Sequence, residues 1–220
     1  MFLNEMVEGQ GRALNIVWQT GSLSDFKRAV TPFVIEASDS GQKIIYVHFS
    51  NEKMFENDER VAVRIIDLNH RFEAFTVDVN DLIEKESGNT LFIFDSLSEL
   101  QTAWATDLMM ENFFSVITPK VIAAGSRAFY PLIRGRHSLN SVEHIKSATT
   151  AFLELYSDFK ELYLRPVWLE GGEKENIYEP YIFSREDMKF VTITDGVTES
   201  RFRKALDLEL RKVRNRNLDS

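Results

Sequence analysis

Apolar runs and helical spacings alternate along this chain. Asn15–Gln19 (NIVWQ) reads as a buried strand. After it, Phe26, Ala29, Val30 and Phe33 recur at helical spacing, with Ser22 or Ser24 as the cap and Asp25 in the first turn. Pro32 removes a backbone donor inside that helix and crowds the preceding turn, so a kink or a short helix is expected. Gly41 ends the element. Lys43–Phe49 and Val61–Leu68 read as strands, Phe72–Lys85 as a helix, and Thr90–Asp95 as a continuous apolar strand ending in an acid. Leu97–Ala124 reads as a long amphipathic helical region with a break expected near Pro119. Arg127–Ile133 is a strand weakened by Pro131. Asn140–Phe159 reads as a strong helix and Glu161–Leu169 as a strand.

Near-continuous apolar strands alternating with helices predict an α/β fold with a mainly parallel sheet covered on both faces. The tail departs from that rhythm. Gly171–Asn176 is a polar turn, so Leu162–Leu169 and Tyr181–Val191 are expected to pair antiparallel near the C-terminus. Thr198–Arg214 reads as a charged helix in which Leu206, Leu208, Leu210 and Val213 supply the apolar positions. The expected division is a main domain over 1–194 and a charged helix or linker over 195–220 leading toward a following domain.

Composition narrows the classes. A chain of 220 residues, 44% hydrophobic with seventeen phenylalanines, has the material for a substantial core. A net charge of −8 argues against a general nucleic-acid binder, because phosphates call for a basic surface. The absence of cysteine excludes disulfides and thiolate chemistry, and fits a cytoplasmic setting. No run reaches the roughly 18 apolar residues of a spanning helix, so no membrane partner is expected. The four histidines His48, His70, His137 and His144 show no short metal-ligand spacing, and no metal is expected; His48, within an apolar strand, reads as a hydrogen-bonded core group.

Candidate chemistry lies where strands run into helices. The turn after the first strand, Gln19-Thr-Gly-Ser-Leu-Ser-Asp-Phe-Lys27, stands where a phosphate loop of the form G-x-x-x-x-G-K-[ST] would be. Only Gly21 of that pattern is present. Leu23 and Phe26 add bulk, Asp25 adds negative charge, and Lys27 falls one place beyond the expected lysine. Leu91-Phe-Ile-Phe-Asp95-Ser96 has the pattern of a magnesium-supporting strand, with helix capping as the plainer reading. After the second strand, Ser50 and Asn51 stand where a water-orienting glutamate is needed, and neither is a base. Gly21, Ser22, Ser24, Lys27, Asp95 and Ser96 therefore mark a vestigial nucleotide site, with no catalytic residue. Arg134, Arg136 and His137 form a basic cluster at a strand exit, a candidate anion site or simply a solvated turn. Asp107 and Glu111 share a helical face, as surface acids commonly do.

Several segments resemble a known family: Asn15-Ile-Val-Trp-Gln, Glu73-Ala-Phe-Thr, Phe92-Ile-Phe-Asp-Ser-Leu-Ser-Glu-Leu, Thr106-Asp-Leu-Met-Met-Glu-Asn-Phe-Phe and Leu132-Ile-Arg-Gly-Arg-His-Ser. Together they resemble the KaiC-like branch of RecA-type ATPases. More closely, they resemble a degenerate KaiC-like domain at the N-terminus of proteins related to phosphoenolpyruvate synthase and pyruvate phosphate dikinase. The resemblance implies a RecA-like three-layer α/β/α fold over about Asn15–Leu169. It implies a module without cofactor that serves assembly or regulation of a phosphotransfer protein, whose ATP-grasp-like and phosphohistidine domains lie elsewhere. No segment here matches the phosphohistidine motif. The implied partners are other proteins: downstream domains of a larger chain or further copies of this one. Two alternatives stay open, a nucleotide- or anion-binding domain using ATP and magnesium in unconventional geometry through Lys27, Asp95 and Arg136, and a pure protein-interaction module.

Overall fold

A computed structural model describes residues 13–51, 53–69, 71–104, 106–158, 160–171 and 177–218. Among them the chain runs β1 (Leu14–Thr20), α1 (Leu23–Asp39), β2 (Lys43–His48), β3 (Ala62–Ile65), α2 (Phe72–Lys85), β4 (Thr90–Phe94), α3 (Leu97–Trp104), α4 (Asp107–Ala123) and β5 (Arg127–Ile133). It continues through α5 (Leu139–Ser147), β6 (Ala151–Ser157), β7 (Leu162–Leu169), β8 (Tyr181–Ser184), β9 (Lys189–Thr192) and α6 (Gly196–Leu218).

All nine strands form one mixed sheet in the order β3-β2-β4-β5-β1-β6-β7-β8-β9. The six from β3 to β6 are parallel, and β7, β8 and β9 add on antiparallel. The alternation of side chains along each strand feeds two cores. Ile16 and Trp18 of β1 join Phe26, Ala29, Val30 and Val34 of α1 on one face. Val17 points the other way, to the core that Phe75 of α2, Leu100 of α3, Phe113 of α4 and Ile145 of α5 complete. The central strands are buried on both faces, which is why they read as unbroken apolar runs.

Several expectations are corrected. The predicted helix Asn140–Phe159 is a nine-residue helix followed by a strand. Ala148 closes α5, and Thr149 and Thr150 then bond to the backbone and amide of Asn15, which draws 151–157 into the sheet beside β1. Phe152, Leu153, Leu155 and Tyr156 satisfy either period, and pairing on both sides decides for the strand. The helical region Leu97–Ala124 divides near 105, not at Pro119, because the Thr106 hydroxyl accepts from the Met109 amide and caps a new helix at 3.3 Å. Pro119 and Pro32 both lie inside their helices. Buried Phe114, Ile117 and Val121 hold one helix to the sheet, and Val30 and Val34 the other, so packing outweighs the lost bond. The third strand is shorter than expected, and Tyr181–Val191 is a hairpin of two strands.

Pro131 fits β5 for a positional reason. Its neighbour β4 pairs only as far as Phe129. In a parallel ladder, alternate amides face alternate neighbours, and Arg134 donates toward β1. Pro131 therefore faces the side that β4 has already left, so its missing donor costs no ladder bond. No helix among the described residues is long and apolar enough to cross a membrane.

Candidate functional site

The parallel strands end along one edge, where open α/β sheets ordinarily bind ligands. The turn after β1 reaches it at Gly21. Ser22 caps α1: its hydroxyl accepts from the Asp25 amide at 3.2 Å and donates to the Asp25 carboxylate at 2.9 Å. Ser24 lies 2.9 Å from the same hydroxyl. Asp25 also accepts from Ser157 at the end of β6. The first turn of α1 thus spends its polar groups on itself. Phe26 is fully buried against Trp18. Lys27 sets its ammonium 5.5 Å from the centre of the Phe55 ring.

Gly21 is covered by the last helix. A Cβ built there would lie 2.5 Å from Glu209 Oε2 of α6, so the glycine is what lets this carboxylate approach the loop. Glu209 is only 7% exposed. It faces Arg134 Nη1 at 3.6 Å and accepts from Lys212 Nζ at 2.6 Å. Arg134, itself 5% exposed at the end of β5, donates to the carbonyls of Leu155 (2.9 Å) and Gln19 (3.3 Å). Its guanidinium lies 4.1 Å from the centre of the Tyr156 ring. Burial pushes the Tyr156 hydroxyl far above its usual range, so it stays protonated and donates to Glu154.

Asp95, at the exit of β4, is fully buried. Both of its oxygens turn back to β2. One accepts from the Tyr46 hydroxyl. The other accepts from the amides of Phe49 (2.7 Å) and Ser50 (2.8 Å) and lies 2.9 Å from His48 Nδ1. The cap expected of Asp95 on the next helix is not what its oxygens do; Ser96 takes the Ser98 amide at 3.2 Å instead. Asp95 fixes the exit of β2. His48, expected as a hydrogen-bonded core group, sits in this network and stacks on Tyr46.

A further constellation went unforeseen. Ser98 Oγ lies 2.7 Å from His137 Nε2, and His137 Nδ1 lies 2.8 Å from Asp107 Oδ1. These are the three groups of a serine hydrolase, in the chain order Ser, Asp, His. Two facts argue against a nucleophile. Ser98 has no exposed surface, and its oxygen already accepts from the Ile133 amide at 2.9 Å. Asp107 is committed as well, accepting from the Ser138 amide and the Ser141 hydroxyl. The trio ties α3, α4 and the start of α5 to the end of β5. Its sequence signal is a histidine just past a strand with an unassigned acid some thirty residues earlier, which is too common a pattern to single out.

The electrostatics agree with a clamp. Burial lowers the affinity of His137 for a proton, and Asp107 only partly offsets that. Burial raises the pKa of Asp107, but His137, the Ser138 amide and Ser141 outweigh it and leave the carboxyl below its usual value. A neutral imidazole therefore donates from Nδ1 to a carboxylate and accepts from Ser98. The unfolded chain binds the His137 proton more readily, so the clamp's contribution is complete above the ordinary histidine value of 6.5 and is lost as pH falls below it. The urea midpoint should fall from about pH 7.5 to about pH 5.5, and His137→Gln should remove part of that slope. An identical slope in the variant would refute the clamp.

Of the six vestigial-site residues, the structure places Gly21, Ser22 and Ser24 together at the α1 start, and Asp95 and Ser96 beyond β5. Lys27 sets its ammonium on the Phe55 ring, which packs on Tyr46, a partner of Asp95. The basic cluster does not assemble: Arg134 points to Glu209, Arg136 is exposed against Glu99 at 3.3 Å, and His137 is buried against Ser98 and Asp107. Glu209 is the residue the sequence reading missed. Among the described residues, no three histidines, aspartates or glutamates come together to hold a metal ion. No protein-family model matches the chain, and no curated protein matches it. Fold and edge together define an α/β mixed-sheet domain in which the β1 turn and Asp95 are engaged by the protein's own side chains.

Proposed function

We propose that this chain is a non-catalytic RecA/KaiC-like module serving assembly or regulation of a phosphotransfer protein related to phosphoenolpyruvate synthase and pyruvate phosphate dikinase. The observation that carries the non-catalytic reading is the Glu209 carboxylate seated against Gly21, in the place a bound phosphate would need. Asp95 adds to it, because both oxygens are engaged by groups from β2. Three features support the RecA-like part: a mainly parallel sheet with helices on both faces, the β1 turn and the β4 acid at the same edge, and the resemblance of the segments between Asn15 and Ser138. The phosphotransfer context follows from that resemblance. A module that keeps the sheet and fills the edge acts through contacts with other proteins.

Phosphate release from ATP tests the reading. The purified chain is expected to show no magnesium-dependent turnover. Turnover that co-elutes with the chain and disappears in Lys27→Ala would sink it and favour the unconventional ATPase. Lys27 is exposed, so that variant leaves the core intact.

A further inference from the structure

The terminal helix touches the body along a narrow stripe. Phe202 and Ala205 pack on Tyr156 and Tyr163, and Glu209 and Val213 continue the same face at helical spacing. Leu208 and Leu210, expected to be the apolar contacts, are 37% and 46% exposed. The apolar part of the stripe is short, and its second half rests on the backbone of two glycines. Glu209 lies over Gly21, and a Cβ at Gly135, where φ is +77°, would meet Val213 at 2.9 Å. The stripe therefore places a carboxylate on a seat made by a buried arginine and an open stretch of backbone. A helix held only by apolar contact has no use for a buried glutamate, because taking a charge out of water is costly unless it is answered.

We propose that the Arg134–Gly21 seat is an oxyanion site and that Glu209 is its internal ligand, so that α6 is a latch which a competing phosphate-type dianion lifts. The chemistry of the seat selects the class. Arg134 supplies a guanidinium already oriented by the Leu155 and Gln19 carbonyls and by Tyr156, and guanidinium matches carboxylate and phosphate oxygens alike. Gly21 leaves room for an oxygen and for nothing carried on a Cβ. Exchange of one oxyanion for the other involves no covalent step. It frees α6 and uncovers Tyr156 and Tyr163. The proposal goes beyond the non-catalytic reading and needs no hydrolysis.

Tryptic cleavage within α6, at the exposed Arg201, Arg203 and Lys204, reads the latch directly in the full chain. Inorganic phosphate is expected to speed wild-type cleavage severalfold over sodium chloride at matched ionic strength. Gly21→Ala leaves both charges in place and evicts Glu209 sterically. Its backbone is not in the left-handed region, so the new side chain brings no local strain. It is expected to raise cleavage without phosphate by about a hundredfold or more, the effect of a lost buried ion pair. Glu209→Gln should do likewise. The tryptophan part of the near-ultraviolet circular dichroism, which reports the core around Trp18, should be unchanged in both variants. Cleavage indifferent to phosphate, equal acceleration by chloride, or wild-type rates in Gly21→Ala would each overturn the proposal. ATP turnover is a separate readout, so failure here leaves the non-catalytic reading standing.

Discussion

Replacing Asp95 by alanine is expected to destabilise the protein by about 3–5 kcal/mol, the range found when one partner of a buried charged network is removed. The tyrosine hydroxyl of Tyr46 and the amides of Phe49 and Ser50 would lose their acceptor in a fully buried setting. Each orphaned donor costs about 1–3 kcal/mol before relaxation. In urea, with a slope of about 3 kcal/mol per molar, the midpoint should drop by more than about 1 M with the slope unchanged. Asn at the same position keeps one acceptor oxygen and should lose less. A residue kept for magnesium chemistry would behave in the opposite way: its removal would relieve buried negative charge and leave stability level or improved.

The second large effect concerns Phe26, the position that the expected phosphate-loop pattern would fill with a lysine. Phe26 is fully buried among Trp18, α1 and β1. Phe26→Lys removes aromatic packing worth about 3–5 kcal/mol in comparable cores and forces an ammonium into an apolar site. The total loss should exceed about 4 kcal/mol, most of the stability of a domain at the low end of the usual range of about 5–15 kcal/mol. Phe26→Leu, which keeps most of the volume, should cost about 1–2 kcal/mol. Thermal unfolding of the pair separates volume from charge. Phe26→Lys is expected to bring no magnesium-dependent nucleotide binding, because the Asp95 oxygens are engaged from β2 and the flanking turn.

Both predictions turn on what the sequence can and cannot express. The strands β1, β2, β4 and β5 are legible because burial on two faces leaves an unbroken apolar signature that no surface helix shows. Ser22 is legible as a cap for the same local reason: its partner is three residues away. The strand β6 is not, since Phe152, Leu153, Leu155 and Tyr156 fit both periods and the deciding partners lie at Asn15–Gln19 and Leu162–Leu169. The site divides along the same line. Asp95 is visible as an acid at a strand exit, but its partners are nearly fifty residues away. Glu209 looks like one more acid on a charged helix. Its register with Phe202, Ala205 and Val213 carries the signal, and the neighbouring leucines at 208 and 210 obscure it. The clamp of Ser98, Asp107 and His137 joins three segments that only the sheet brings together.

On the proposed reading, the β1 turn and Asp95 are engaged by the protein's own side chains and hold no magnesium nucleotide. Ligand-linked unfolding tests it most directly, because a ligand that binds only the folded state raises stability by RT ln(1 + [L]/Kd). Any rise in the urea midpoint with ATP should be the same with and without magnesium, matching what inorganic phosphate produces at the Arg134 seat. A saturable rise with ATP that requires magnesium and vanishes in Asp95→Asn would contradict the account.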